Sequence, residues 1–119
     1  MNLIFNFVSL KQNIMKKKTE KIVVIEMMDC VNGTTTSSEA LALFLKVEKA
    51  LKDDCLVKLS LTEVTPMSSS FLNASFGELF DTFGYKKIKS NISLINYKPS
   101  QAKQIKEYLD TISKLKLVK

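Results

Sequence analysis

Three runs of apolar residues recur along the chain, and each gives way to a stretch whose apolar positions keep the 3.6-residue rhythm of a helix. The first, KIVVIEMM (residues 21–28), is rich in β-branched side chains and reads as a buried strand. The second, CLVKLSLTEV (55–64), alternates, with Leu56, Lys58, Ser60 and Thr62 facing opposite to Val57, Leu59 and Leu61. The third is ISLI (92–95). A β-α-β-α-β-α order predicts an α/β fold in which helices pack on a mixed or mostly parallel sheet. A chain of 119 residues with no internal repeat or low-complexity linker fits one small domain, placed at residues 20–116.

The helices announce their ends. Asn32-Gly33 breaks the first strand. Thr36-Ser37-Ser38-Glu39 then has the hydroxyl and the glutamate of a capping box. Leu41, Phe44, Leu45 and Leu51 supply the apolar face of the following helix, which Asp53-Asp54 closes. Pro66 is expected to stop the second strand, because proline cannot donate to a ladder. In TPMSSSFLNASFGELF (65–80), Ser68 suits an N-cap whose hydroxyl accepts from the amide of Ser70 or Phe71. Met67 and Leu72 then occupy the two positions of a hydrophobic staple.

Behind that start, Leu72, Phe76, Leu79, Phe80 and Phe83 form an apolar stripe. Gly77 interrupts it at about 1 kcal/mol relative to alanine, which points to another element passing close by. Gly84 suits the left-handed position after the last turn. Pro99 sits at a helix start, and Ile105, Tyr108, Leu109 and Ile112 give that last helix its buried face.

Composition narrows the chemistry. All 18 basic residues are lysines, and histidine is absent. A chain without histidine has no Ser-His or Cys-His pair and no ordinary His-based metal site, and without arginine it has no bidentate fork for a phosphate. No catalytic residue, metal or cofactor is expected, and the reading is of a protein that is not an enzyme. Cys30 and Cys55 form no C-x-x-C pair and fit reduced thiols in a cytoplasmic protein. No apolar run reaches the roughly 20 residues needed to span a bilayer.

Charge is uneven: net +4 over residues 1–21, −5 over 22–85 and +7 over 86–119. This leaves a basic nucleic-acid-binding module, or a small anionic-ligand binder using the strand-end loops, as the alternative function. Nucleic acid is the weaker reading, because few aromatics are interleaved with the lysines. The opening MNLIFNFVSLKQNIMKKK places lysines after its apolar stretch, unlike a signal peptide. Residues 1–19 are therefore either an extra strand, with Leu3, Phe5 and Phe7 alternating with Ile4, Asn6 and Val8, or a leader preceding a start at Met15.

LVKLSLTEVTPMSSSFLNASFGELF and ISLIN together resemble the STAS-like domains of unassigned function, relatives of the STAS domains of anti-sigma-factor antagonists and sulfate transporters. The resemblance spans roughly residues 21–113. It implies a regulatory domain that docks to a protein partner, an ATPase-like kinase being one candidate. In the antagonist branch a strand leads into Asp-Ser-Ser-Gly at a helix start, and a serine there is phosphorylated. Here Ser68 stands in place of the aspartate, Ser69 and Ser70 match the serines, and Phe71 replaces the glycine. By that match Ser70 is the first candidate phosphoacceptor and Ser69 the second. The partner surface is expected around Ser68, Ser69, Ser70, Phe71 and Asn73.

Overall fold

Strands β1 (Ile22–Glu26), β2 (Leu56–Ser60) and β3 (Ile92–Ile95) lie side by side in that order, all parallel, in a computed structural model that describes residues 21–118. Pairing Val23 with Val57 and Ile25 with Leu59, then Val57 with Ile92 and Leu59 with Leu94, puts these six residues on one face of the sheet. That face carries the core; Ile25, Val57 and Leu59 are almost fully buried. On the other face Ile22 and Val24 are 56% and 59% exposed. The expectation for residues 1–19 lies outside the described residues.

Among the described residues six helices connect and flank the strands: α1 (Met27–Cys30), α2 (Ser37–Lys52), α3 (Ser69–Leu72), α4 (Glu78–Phe83), α5 (Tyr85–Asn91) and α6 (Pro99–Val118). A π-turn at Asn73–Gly77 joins α3 to α4. The alternation of strand and helix is the one expected, with two differences at strand ends. The first strand stops at Glu26, where Met27 turns helical and is completely buried. The second stops at Ser60, well before Pro66, at a turn in which Glu63 adopts φ 58°.

Helix α2 begins with the expected cap. The Thr36 hydroxyl accepts from the Glu39 amide at 3.2 Å, and the Glu39 carboxylate accepts from the amides of Thr35 and Thr36, each at 3.2 Å. The face it buries corrects the sequence reading. Ala40, Leu43, Val47, Ala50 and Leu51 are in the core, whereas Leu41 and Leu45 are half-exposed and Phe44 is only partly covered. Two alanines on the inner face let α2 approach the π-turn and β2, against which it packs.

Two helices have no counterpart in the sequence reading: α1, which takes the end of the expected first strand, and α5. Helix α5 starts directly after Gly84, whose φ of 87° and ψ of 158° lie in a region open to glycine but not in the left-handed helical well expected of it. Among the described residues no helix is long and apolar enough to cross a membrane. Cys30 and Cys55 are both free; burial pushes the Cys30 thiol up, which disfavours its thiolate.

Candidate functional site

The connections leaving the carboxyl ends of β1 and β2 are fastened to each other, and the serine triplet sits at the fastening. Thr34, in the first connection, is buried to 1% exposure. Its hydroxyl lies 3.1 Å from the Thr65 carbonyl, 3.0 Å from the Pro66 carbonyl and 2.6 Å from the Thr65 hydroxyl. A threonine hydroxyl has one proton to donate. If Thr34 donates to the backbone, the shortest contact must be donated by Thr65, so the two side chains satisfy each other and the loop between them.

Ser68 completes the join. Its amide donates to the Thr34 carbonyl at 3.0 Å, and its hydroxyl donates to the Thr35 carbonyl at 2.7 Å while accepting from the Phe71 amide at 3.0 Å. The N-cap expected of Ser68 is present, with Phe71 as the amide partner. Its hydroxyl proton is committed to the neighbouring loop, which makes Ser68 a fastening between the two connections. Met67 and Leu72, the two staple positions, are both buried.

The remaining candidates separate by burial. Ser69 and Ser70 are exposed in the first turn, and neither hydroxyl has a hydrogen-bond partner among the described residues. Asn73 is exposed one turn later. Phe71 differs from the expectation: its ring is at 0% exposure in the core and takes no place on a docking surface. The reason is helical geometry. Phe71 follows the cap by three positions and points inward beside Leu72, with Ser75 and Phe76 buried on the same side one turn on.

The last helix holds this segment from behind. Gln101 Nε2 donates to the Val64 carbonyl and Gln104 Nε2 to the Met67 carbonyl, both at 2.8 Å. These side chains satisfy buried or half-buried loop carbonyls that no strand reaches. The Tyr108 hydroxyl then donates to Asn73 Oδ1 at 2.6 Å. Burial, followed by the charges of Asp81 and Glu78, raises the Tyr108 hydroxyl above its ordinary pKa, which keeps it a neutral donor. Inside the π-turn the buried Ser75 hydroxyl donates to the Phe71 carbonyl at 2.7 Å. π-turns of this kind occur often at functional sites.

Sequence reading missed Thr34, Gln101, Gln104 and Tyr108 as supports of this surface. The run Thr34-Thr35-Thr36 was the available signal, since hydroxyls clustered after a strand offer partners to loop carbonyls. Nothing local marks the two glutamines.

The neighbouring cap is sensitive to acid. Hydrogen bonds to Thr36 and to the Thr35 amide hold the Glu39 carboxyl below the usual glutamate value. A depressed folded pKa contributes stability that is present above the unfolded value and is lost as pH falls through the folded one. Glu39→Gln is therefore expected to flatten the acid side of the stability profile, read as melting temperature against pH across the carboxylate range. An unchanged profile would show that the box carries none of this dependence.

A family model described as a STAS-like domain of unknown function matches residues 39–102, from the first turn of α2 into the first turn of α6. The second of the two fastened connections, the serines and the π-turn fall inside the match, whereas Thr34 and Thr35 precede it. No curated protein and no solved structure matches the chain.

Proposed function

The chain belongs to the family of STAS-like domains of unknown function, and from that premise we propose that it is a non-enzymatic, cytoplasmic regulatory module that docks a protein partner through Ser69, Ser70 and Asn73. The observation that carries this reading is the pair of exposed serine hydroxyls at the start of a helix whose cap and flanking loop are fixed by Thr34, Ser68 and the Gln104 side chain. A surface held this firmly loses little entropy when a partner docks. The candidate partner class remains an ATPase-like kinase, with Ser70 as acceptor and Ser69 next.

A phosphate on Ser70 would bring about −1.5 to −2 charge to a helix N-terminus, where free amides and the macrodipole favour anions. Folding therefore tolerates the modification. A partner surface shaped to a neutral hydroxyl does not, because it must desolvate the new charge. The switch acts on docking and leaves the fold intact.

Ser70→Glu is the direct test. The tagged full chain and the variant are each used to capture proteins from native lysate, and the recovered chain is weighed intact for added phosphate. The expected result is one partner retained by the unmodified chain, lost by Ser70→Glu and kept by Ser70→Ala, with melting temperatures nearly equal. Equal retention by all three proteins would refute docking through the serines.

A further inference from the structure

A second feature stands apart from the serine surface and rests on none of the reading above. Between β3, α5 and α6 lies a half-open slot of about 190 Å³. Its apolar lining includes Ile92 and Leu94 from the core face of the edge strand and Ile105 and Leu109 from α6. Ile92 and Leu94 are only half-buried, so among the described residues part of the sheet's inner face is left uncovered at this edge.

The charged residues of the slot are not balanced. Lys89, Lys106 and Asp110 line it together with Tyr85. Asp110 is already occupied: Oδ1 accepts from the Tyr85 hydroxyl at 2.9 Å, and Oδ2 lies 3.9 Å from Lys106 Nζ. Lys89 Nζ stands 5.6 Å from the centre of the Tyr85 ring and has no carboxylate within ion-pair distance among the described residues. An apolar lining therefore meets two ammonium groups and one carboxylate whose two oxygens are both engaged.

We propose that this slot binds a small amphipathic monoanion, an aliphatic or aromatic carboxylate, with its hydrocarbon part against Ile92, Leu94, Ile105 and Leu109 and its carboxylate toward Lys89. The volume fits that class: a dry apolar cavity of about 150 Å³ accommodates benzene, and drug-sized pockets begin near 300 Å³. A neutral hydrocarbon leaves Lys89 unanswered, and a cation is repelled by both lysines. A dicarboxylate with no apolar body gains nothing from the lining.

Octanoate is the probe, titrated into the full chain with its isoleucine, leucine and valine methyl groups isotopically labelled, beside octanol as the neutral match. Saturable shifts at Ile92, Leu94, Ile105 and Leu109 are expected, with octanol binding at least tenfold more weakly. Lys89→Gln, a change at an exposed side chain, should erase that preference without altering the melting temperature. Shifts that never saturate, or that arise instead at Ile22 and Val24, would overturn the proposal. So would octanol binding as tightly as octanoate, or an octanoate affinity that Lys89→Gln leaves unchanged. Silence of the slot methyls because another part of the chain already fills it would overturn it equally. The serine variants are not used, so failure here leaves the docking reading untouched.

Discussion

Phe71→Ala is expected to lower the melting temperature by roughly 15–30 °C, the largest loss of any single change near the serines. The ring is wholly buried and belongs to one continuous cluster with Leu43, Val47, Leu59, Phe76 and Leu79. Truncating a buried phenylalanine typically costs about 3–5 kcal/mol, part for lost burial and part for the cavity left behind. A small domain has only about 5–15 kcal/mol in total, so the variant is expected to be partly unfolded near 37 °C. Ser70→Ala, next to it on the exposed side, should change the stability by less than about 0.5 kcal/mol. The contrast has a practical consequence. A docking defect in Phe71→Ala would report lost structure, and only the serine and Asn73 variants can report a lost contact. A Phe71→Ala protein as stable as the parent would mean that the ring is not in the core.

How much of this was legible depends on the range of the interaction that decides each feature. The caps at Thr36 and Ser68, the start at Pro99 and strand β3 all follow from contacts within a few residues, and the sequence reading places them where the structure does. Leu51 is buried as expected, but Leu41 and Leu45 were misplaced on the inner face of α2 for a different reason. Leu41, Phe44 and Leu45 look like the core stripe by size, yet close packing on the π-turn selects the side bearing Ala40, Leu43, Val47 and Ala50. Helix α5 was invisible because one residue, Ile88, is its only fully buried anchor, and one apolar position makes no period.

The candidate surface divides along the same line. That Ser68 caps was readable locally; that its hydroxyl proton is taken by Thr35 was not, because Thr35 is 33 positions away. The glutamines and Tyr108 that brace the loop are 35 to 37 positions from their partners. Exposure of Ser69 and Ser70 and burial of Phe71 both follow from which side of the helix meets α2 and the sheet. Only tertiary packing decides that.

Gly77 joins the two scales, and its substitutions are expected to depend on Tyr108. A Cβ built on Gly77 would stand 2.6 Å from the Tyr108 hydroxyl oxygen and 3.6 Å from the Leu72 carbonyl oxygen. The hydroxyl is not free to retreat, since it is bonded to Asn73 and its ring is packed against the core. Gly77→Leu is therefore expected to destabilise by roughly 2–3 kcal/mol through overpacking. Gly77→Ala sets the same clash against a gain of about 1 kcal/mol in helix propensity, so alone it should be neutral or mildly destabilising. With Tyr108→Phe the oxygen is gone, and the nearest ring atom lies at 3.7 Å, an ordinary contact. In that background Gly77→Ala should become stabilising, and a double-mutant cycle in urea should return a coupling of about 0.5–3 kcal/mol. If Gly77→Ala has the same effect with tyrosine or phenylalanine at 108, the last helix is not what requires the glycine. The close approach of Tyr108 would then not account for the glycine, and the bracing of the serine-bearing segment would rest on its hydrogen bonds through Thr34, Ser68, the two glutamines and Asn73.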